Sequence, residues 1–258
     1  MTSGPAIRRR LRTVDDVPPT ADLVVIGAGI VGCATAFFAT AAGLRTVILD
    51  ARLRPATLTT PASTGAFRLQ FDNAEEIALV REGVELFGAF AERAGLPGYD
   101  IGLRRNGYLF CARDEASIAR QRRMAGLAHQ AGVTDVELFD GDEARHRFPY
   151  LSPAVLGARF RQQDGFLDPV RLAYGFALAA AGGEAVERPA GTAAATFALG
   201  ARVTGFRLAG DRLLAVETAH GAVAAPNAVI ATGPFLARVA ALAGLSVDLR
   251  PTRRQKLV

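Results

Sequence analysis

Short apolar runs alternate with longer stretches whose apolar residues recur every three or four positions. Asp22 to Ile26 is a run rich in β-branched residues. Ile30 to Ala42 is packed with alanine and phenylalanine and closed by Gly43, and Arg45 to Leu49 is a second short run. The pattern predicts strand, helix, strand. Such a unit implies a parallel sheet joined by a right-handed crossover. From Ala51 to Gly65, Pro55, Pro61 and several threonines predict a loop.

Further along, Glu75 to Ala94 has helical periodicity and Gly107 to Ala112 reads as a strand. Asp114 to Gln130 is a charged amphipathic helix stopped by Gly132. Leu156 to Phe160 reads as a strand, and Pro169 to Ala181 as a helix with proline at its start. Gly182 to Thr196, rich in Gly, Ala, Thr and Pro, is assigned to a loop. Arg202 to Leu208 and Arg212 to Thr218 form an antiparallel pair around Ala209-Gly210-Asp211. Asn227 to Ala231 reads as a buried central strand feeding Gly233, with a helix following from Phe235 to Leu242. No internal repeat is found.

The expected fold class is α/β: a Rossmann-like parallel-sheet domain interrupted by an antiparallel-sheet α+β insertion. Residues 1–20 are a flexible leader, 21–82 and 148–258 the discontinuous dinucleotide domain, and 83–147 part of the inserted domain.

Composition narrows the classes. The chain has 258 residues, 50% hydrophobic and 21% charged, a globular profile. The formal net charge is +5, but Lys256 is the only lysine, and arginines alternate with acids as on a solvated face. The one dense basic cluster, Arg8-Arg9-Arg10 with Arg12, sits in the leader, so no nucleic-acid partner is expected. No apolar run is long enough for a membrane span. The start resembles neither a signal peptide nor a twin-arginine signal, which predicts a cytoplasmic protein. Cys33 and Cys111 lack metal-type neighbours, so two buried thiols in a reducing compartment and no metal site are expected. His129, His146 and His220 read as surface residues.

The candidate chemistry begins at Gly27-Ala28-Gly29-Ile30-Val31-Gly32, which fits GxGxxG between the predicted strand and helix. Gly27 permits the tight turn, Gly29 lets a pyrophosphate approach the backbone, and Gly32 lets helix and strand pack closely. The anion would sit at the helix N-terminus. Asp50 closes the second strand, where a carboxylate can accept both ribose hydroxyls; this disfavours a 2′-phosphate and hence NADP. The fingerprint alone leaves nicotinamide and flavin open. Three later segments bear on the choice: Ala62-Ser63-Thr64-Gly65-Ala66-Phe67-Arg68, Asp164 to Leu172 (DGFLDPVRL), and Ala228 to Phe235 (AVIATGPF).

Taken in this order, these pieces resemble the FAD-dependent amine and amino acid oxidoreductases related to D-amino acid oxidase, nearest the sarcosine oxidase, dimethylglycine dehydrogenase and glycine oxidase branch. The resemblance runs from about Ala21 to the end. It implies that Gly27, Gly29, Ile30 and Gly32, with Asp50, hold the ADP part of FAD, and that Arg52 follows the acid as a basic neighbour. Ser63 and Thr64 would flank the pyrophosphate and ribityl chain, Val203 would meet the adenine, and Ala231, Thr232 and Gly233 would line the far side. Arg68 matches an arginine close to the isoalloxazine and is the catalytic candidate. The implied reaction takes hydride from a carbon next to an amine nitrogen of a small amine or amino acid, such as sarcosine, another N-methyl amino acid or a D-amino acid. The cofactor supplies the redox chemistry.

Two departures stand out. Phe71 occupies the position where sarcosine oxidase-like members place a second arginine, and GEAVERPAGTAAATFALGARV is longer than the usual link. The resemblance also implies further substrate strands beyond Val258, so a C-terminally truncated flavoenzyme of impaired activity is expected. The alternatives are a non-catalytic flavoprotein subunit completed by a partner chain, and an NAD-dependent dehydrogenase.

Overall fold

The computed structural model describes residues 17–182, 186 and 191–253. The leader cluster Arg8 to Arg12, residues 183–185 and 187–190 of the glycine-rich link, and Arg254, Gln255 and Lys256 lie outside them. Along the chain run β1 (Leu23–Ile26), α1 (Ile30–Ala41), β2 (Thr46–Asp50), α2 (Thr59–Ala62), β3 (Ala66–Phe67), α3 (Ala74–Gly88), α4 (Phe90–Arg93) and β4 (Tyr108–Ala112). There follow α5 (Glu115–Gln130), β5 (Glu137–Asp140), α6 (Gly141–Arg147), β6 (Gly157–Arg161), β7 (Gly165–Phe166) and α7 (Pro169–Ala181). The last are β8 (Ala195–Leu199), β9 (Val203–Ala209), β10 (Arg212–Thr218), β11 (Gly221–Ala224), β12 (Ala228–Ile230) and α8 (Leu236–Ala240).

These elements form two compact units. One is drawn from Met1–Ser63, Ala94–Tyr99 and Pro169–Val258, the other from Thr64–Arg93 and Asp100–Asp168. The division therefore falls elsewhere than at the expected 82/83 and 147/148. The antiparallel pairing of β3 with β7 ties 64–82 and 148–168 to the second unit. In the first unit, the Tyr99 hydroxyl donates to the Arg171 carbonyl at 2.8 Å, which ties 94–99 to α7.

The first unit holds a parallel sheet in the order β12-β1-β2-β8. β1 is buried along its whole length because both faces are covered. Val24, Ile26, Val47, Leu49 and Ala198 face a second sheet, the antiparallel β11-β10-β9, and share a core with Val216 and Val223. The other face carries α1 and α7, which meet through Phe37 and Phe176, ring centroids 5.4 Å apart.

Several expectations are corrected here. The segment assigned to a loop through Thr196 contains the start of β8, an edge strand paired in register from Thr46↔Ala195 to Asp50↔Leu199. Glycine, proline and alanine dominate this stretch and carry little local strand signal; the neighbouring β2 edge supplies the reason to extend. β12 is half-buried and lies at the other edge of the sheet among the described residues, rather than buried at its centre. Residues 17–20 are tied down: Thr20 bridges to Ala224, and Val17 packs on the inter-sheet core. The predicted loop 51–65 contains the single turn α2.

The second unit is built on the antiparallel sheet β4-β6-β5, with β6 central and buried throughout. Alternation along β6 puts Ala158 and Phe160 on one face, with Phe139 and Phe148, and Arg159 and Arg161 on the other, with Tyr108 and Phe110. The Asp164 side chain is fully buried. Its Oδ1 accepts from the Leu69 amide (3.0 Å) and Arg161 Nη1 (2.7 Å), and its Oδ2 from Gln70 Nε2 (3.0 Å). The predicted helix 75–94 breaks at Ala89 into α3 and α4. Asn73, Asp114 and Asp140 cap α3, α5 and α6 through their side chains. Cys33 is buried as expected, but Cys111 is exposed on the edge strand β4.

Candidate dinucleotide site

At the C-terminal ends of β1, β2 and β12 the chain turns sharply into α1. The turn is fixed by the strands: the Gly27 amide donates to Leu49 O at 2.7 Å, and the Ala231 amide donates to Ile26 O at 2.8 Å. Gly27 has φ +107°, and a Cβ there would lie 2.5 Å from the Ala231 carbonyl oxygen. A Cβ on Gly32 would lie 1.8 Å from the Gly27 carbonyl oxygen, so only glycine lets α1 sit this close to the end of β1. Gly29 differs from both. A Cβ there meets only Thr60 Oγ1, at 3.5 Å.

Gly29 is the N-cap of α1 and, lacking a side chain, caps nothing. The amides of Val31 and Gly32 therefore begin the helix without intrahelical acceptors. Free N–H groups and the positive end of the helix dipole favour an anion at this place.

Asp50 braces the turn. Its Oδ2 accepts from the Ala28 amide and its Oδ1 from the Arg52 amide, both at 2.7 Å. Each oxygen keeps a second lone-pair direction for a further donor. The Ala28 carbonyl accepts from the Ala56 amide at 2.9 Å, with Ala56 at φ +53°. Cys33 lies beneath, its thiol 3.5 Å from the Ala28 carbonyl. Burial, assisted by the Asp50 charge, pushes that thiol's pKa up to about 12, so it is a protonated packing group.

Thr60 was not foreseen. It is buried on α2, and its Oγ1 accepts from the Ile30 amide at 3.1 Å. Pro61 in the first turn of a helix was the available signal. Thr232 closes the far side: its Cα lies 3.3 Å from the Gly27 Cβ position, and its buried Oγ1 has no hydrogen-bond partner. Gly233, at φ +55°, turns the chain above Thr59. Gly27, Gly29, Ile30, Gly32, Asp50, Ala231, Thr232 and Gly233 are thus brought together.

The remaining candidates are Arg52, Val203 and Ser63 in the first unit and Thr64 and Arg68 in the second. Arg52 is exposed, its carbonyl accepting from the Gly200 amide. Val203 begins β9 and packs on the inter-sheet core. Ser63 is exposed and ends α2, its amide donating to Thr60 O at 3.2 Å. Thr64 and Arg68 belong to the second unit. The Thr64 hydroxyl accepts from the Ala66 amide at 3.5 Å. The half-buried Arg68 guanidinium lies 4.6 Å from the Phe71 ring centroid, 5.6 Å from that of Tyr108 and 5.8 Å from that of Phe110. Phe71, where a second arginine was considered, thus supplies a ring to the first. Among the described residues no group of His, Cys, Asp and Glu has metal-binding geometry, and no helix is long and apolar enough to cross a membrane.

Residues 22–258 match the family model described as FAD dependent oxidoreductase. The chain belongs to this family. Mitochondrial sarcosine dehydrogenase of Mus musculus is 27% identical over 241 residues, which are 90% of this chain and 25% of that protein. The chain therefore spans about a quarter of that relative's length. Among solved structures, L-proline dehydrogenase from P. horikoshii superposes with a TM-score of 0.77 at 25% identity, over 91% of this chain and 58% of the other. Glycine oxidase from Geobacillus kaustophilus gives 0.74 at 25% identity, over 90% and 60%. FAD is the cofactor of the family, and the parallel sheet with its separate antiparallel sheets is the family's fold.

Proposed function

We propose that this chain carries the FAD-binding part of an oxidoreductase that oxidises the carbon next to nitrogen in a small amino acid or amine. The observation that carries the reading is the set of features around Gly29: an open flank, an N-cap without a side chain, and the unpartnered Thr232 Oγ1 on the far side of the turn. The residues fit a dinucleotide. The amides of Val31 and Gly32 would hold the pyrophosphate, Asp50 would accept a ribose hydroxyl on its free lone pairs, and Thr232 Oγ1 would find its partner on the cofactor. Thr60 holds the Ile30 amide and orients the first turn for that contact. Ser63, Thr64 and Val203 are assigned the flanking contacts. Bound FAD supplies the two-electron acceptor. The chain's own task is to bind and orient, and Arg68 is assigned to the substrate. The names of the relatives support an amino acid substrate.

The test is reconstitution. After incubation with FAD and desalting, the chain is expected to retain flavin near one per chain, and Gly29→Leu to retain little at an unchanged far-ultraviolet circular dichroism spectrum. Failure of the wild-type chain to retain any FAD overturns the reading. Sarcosine, glycine and L-proline, added anaerobically, probe the substrate class through bleaching of the flavin band.

A further inference from the structure

Arg159 stands at the centre of β6, paired across to Phe110 on β4 and Leu138 on β5. It is 2% exposed, yet its Nε and Nη1 have no hydrogen-bond partner. Its guanidinium lies 4.7 Å from the Phe110 ring centroid. Arg161, two residues on, has two carboxylates: Asp135 at 2.7 Å from Nε and Asp164 at 2.7 Å from Nη1. The Asp164 oxygens are filled by Arg161, Leu69 and Gln70, so none serves Arg159. Burial pulls the Arg159 pKa down to about 10; Asp164 opposes that, Arg68 and Arg120 add to it, and Asp72 opposes it. Arg68 shares the Phe110 ring and, among the described residues, forms no ion pair; its Nε donates only to Gln70 O at 3.4 Å. A buried cation with unfilled donors is a costly arrangement that a bound anion would relieve.

We propose that Arg159 and Arg68 together receive the carboxylate of the substrate, with Arg159 as the inner, specificity-determining member. Arg68, half-exposed, meets the anion first; Arg159 supplies the desolvated charge and free donors that hold it. The aromatic faces of Phe71, Tyr108 and Phe110 keep both guanidinium planes in place. The assignment rests on the amino acid reading above.

The test uses the full chain without FAD, so that it stands apart from the cofactor question. Thermal unfolding is followed in sodium acetate against sodium chloride at equal ionic strength, with acetamide as the neutral analogue and inorganic phosphate as a second anion. Acetate is expected to raise the midpoint saturably and acetamide not to. Arg159→Met should weaken acetate binding by about ten- to a hundred-fold, as for loss of charge-assisted hydrogen bonds. Its ligand-free midpoint should be equal to or above the wild type, because the lost cation had no carboxylate partner and left Nε and Nη1 unfilled. Acetate binding unchanged in Arg159→Met, or phosphate binding more tightly than acetate, overturns the proposal. If Arg159→Met does not fold, arginine 15Nε–H signals of the wild-type chain decide: two signals moving with acetate support it, and one or none overturns it. FAD retention in Arg159→Met should match the wild type. A chain that retains no FAD defeats the cofactor reading alone, whereas a chain that retains FAD but ignores acetate defeats this one.

Discussion

The turn into α1 and the arginine face of β6 treat buried polarity in opposite ways. Around Gly27 the polar atoms are mostly backbone amides and carbonyls; those at the strand ends are matched by other strand ends or by the Asp50 carboxylate, and the open ones are the first amides of α1 and the Thr232 hydroxyl. On β6 the polar atoms belong to long side chains, and they are matched across the second unit or left unmatched. A site made of backbone is set by chain geometry and demands glycine. A site made of side chains is set by what the fold brings near, and a donor that finds no partner stays unfilled, as on Arg159.

The largest expected effect breaks the backbone site. Gly32→Ala places a methyl group against the Gly27 carbonyl and should cost about 3 kcal/mol or more in urea unfolding, while Gly29→Ala should change stability by less than about 0.5 kcal/mol. Equal costs at the two positions would show that Gly29 is a packing glycine like Gly32. Next, Asp164→Asn leaves Arg161 with Asp135 alone and removes the acceptor for Gln70; a loss of about 3 kcal/mol is expected by the same measurement. A loss well under that would make the Asp164 cluster dispensable and weaken the contrast between Arg161 and Arg159. The smallest effect concerns the thiols. Alkylation followed by mass spectrometry should modify Cys111 in the native chain, faster at pH 9 than at pH 7, because the thiolate is the nucleophile. Cys33, held protonated to about pH 12 by burial, should stay unmodified across that range.

Much of the first unit was legible in the chain. Leu23 to Ile26 is apolar throughout because both sheet faces are covered, and the glycine spacing follows from contacts within one β-α-β unit. β8 was hidden because it follows a Gly-, Ala- and Pro-rich run and is itself two-fifths alanine, so its pairing with β2 supplies the reason to extend. Thr60 was missed because it acts across 30 residues on the Ile30 amide, a partner that no local pattern names. On β6, Arg159 looked like any other arginine in an arginine-rich chain; that it is buried and unpaired depends on β4, β5 and Asp164 all meeting there.

By itself, then, the amino-acid sequence determined what short-range geometry requires: the strand-turn-helix with its three glycines, the acid that follows, and the family to which the order of motifs points. Only the tertiary structure decided where the two units divide, which threonines face the turn, and which buried arginine, among the described residues, is left without a carboxylate. Those outcomes depend on contacts between residues far apart in the chain, 95 positions apart for Leu69 and Asp164 and further still for Ile26 and Ala231, and such pairings leave no periodicity.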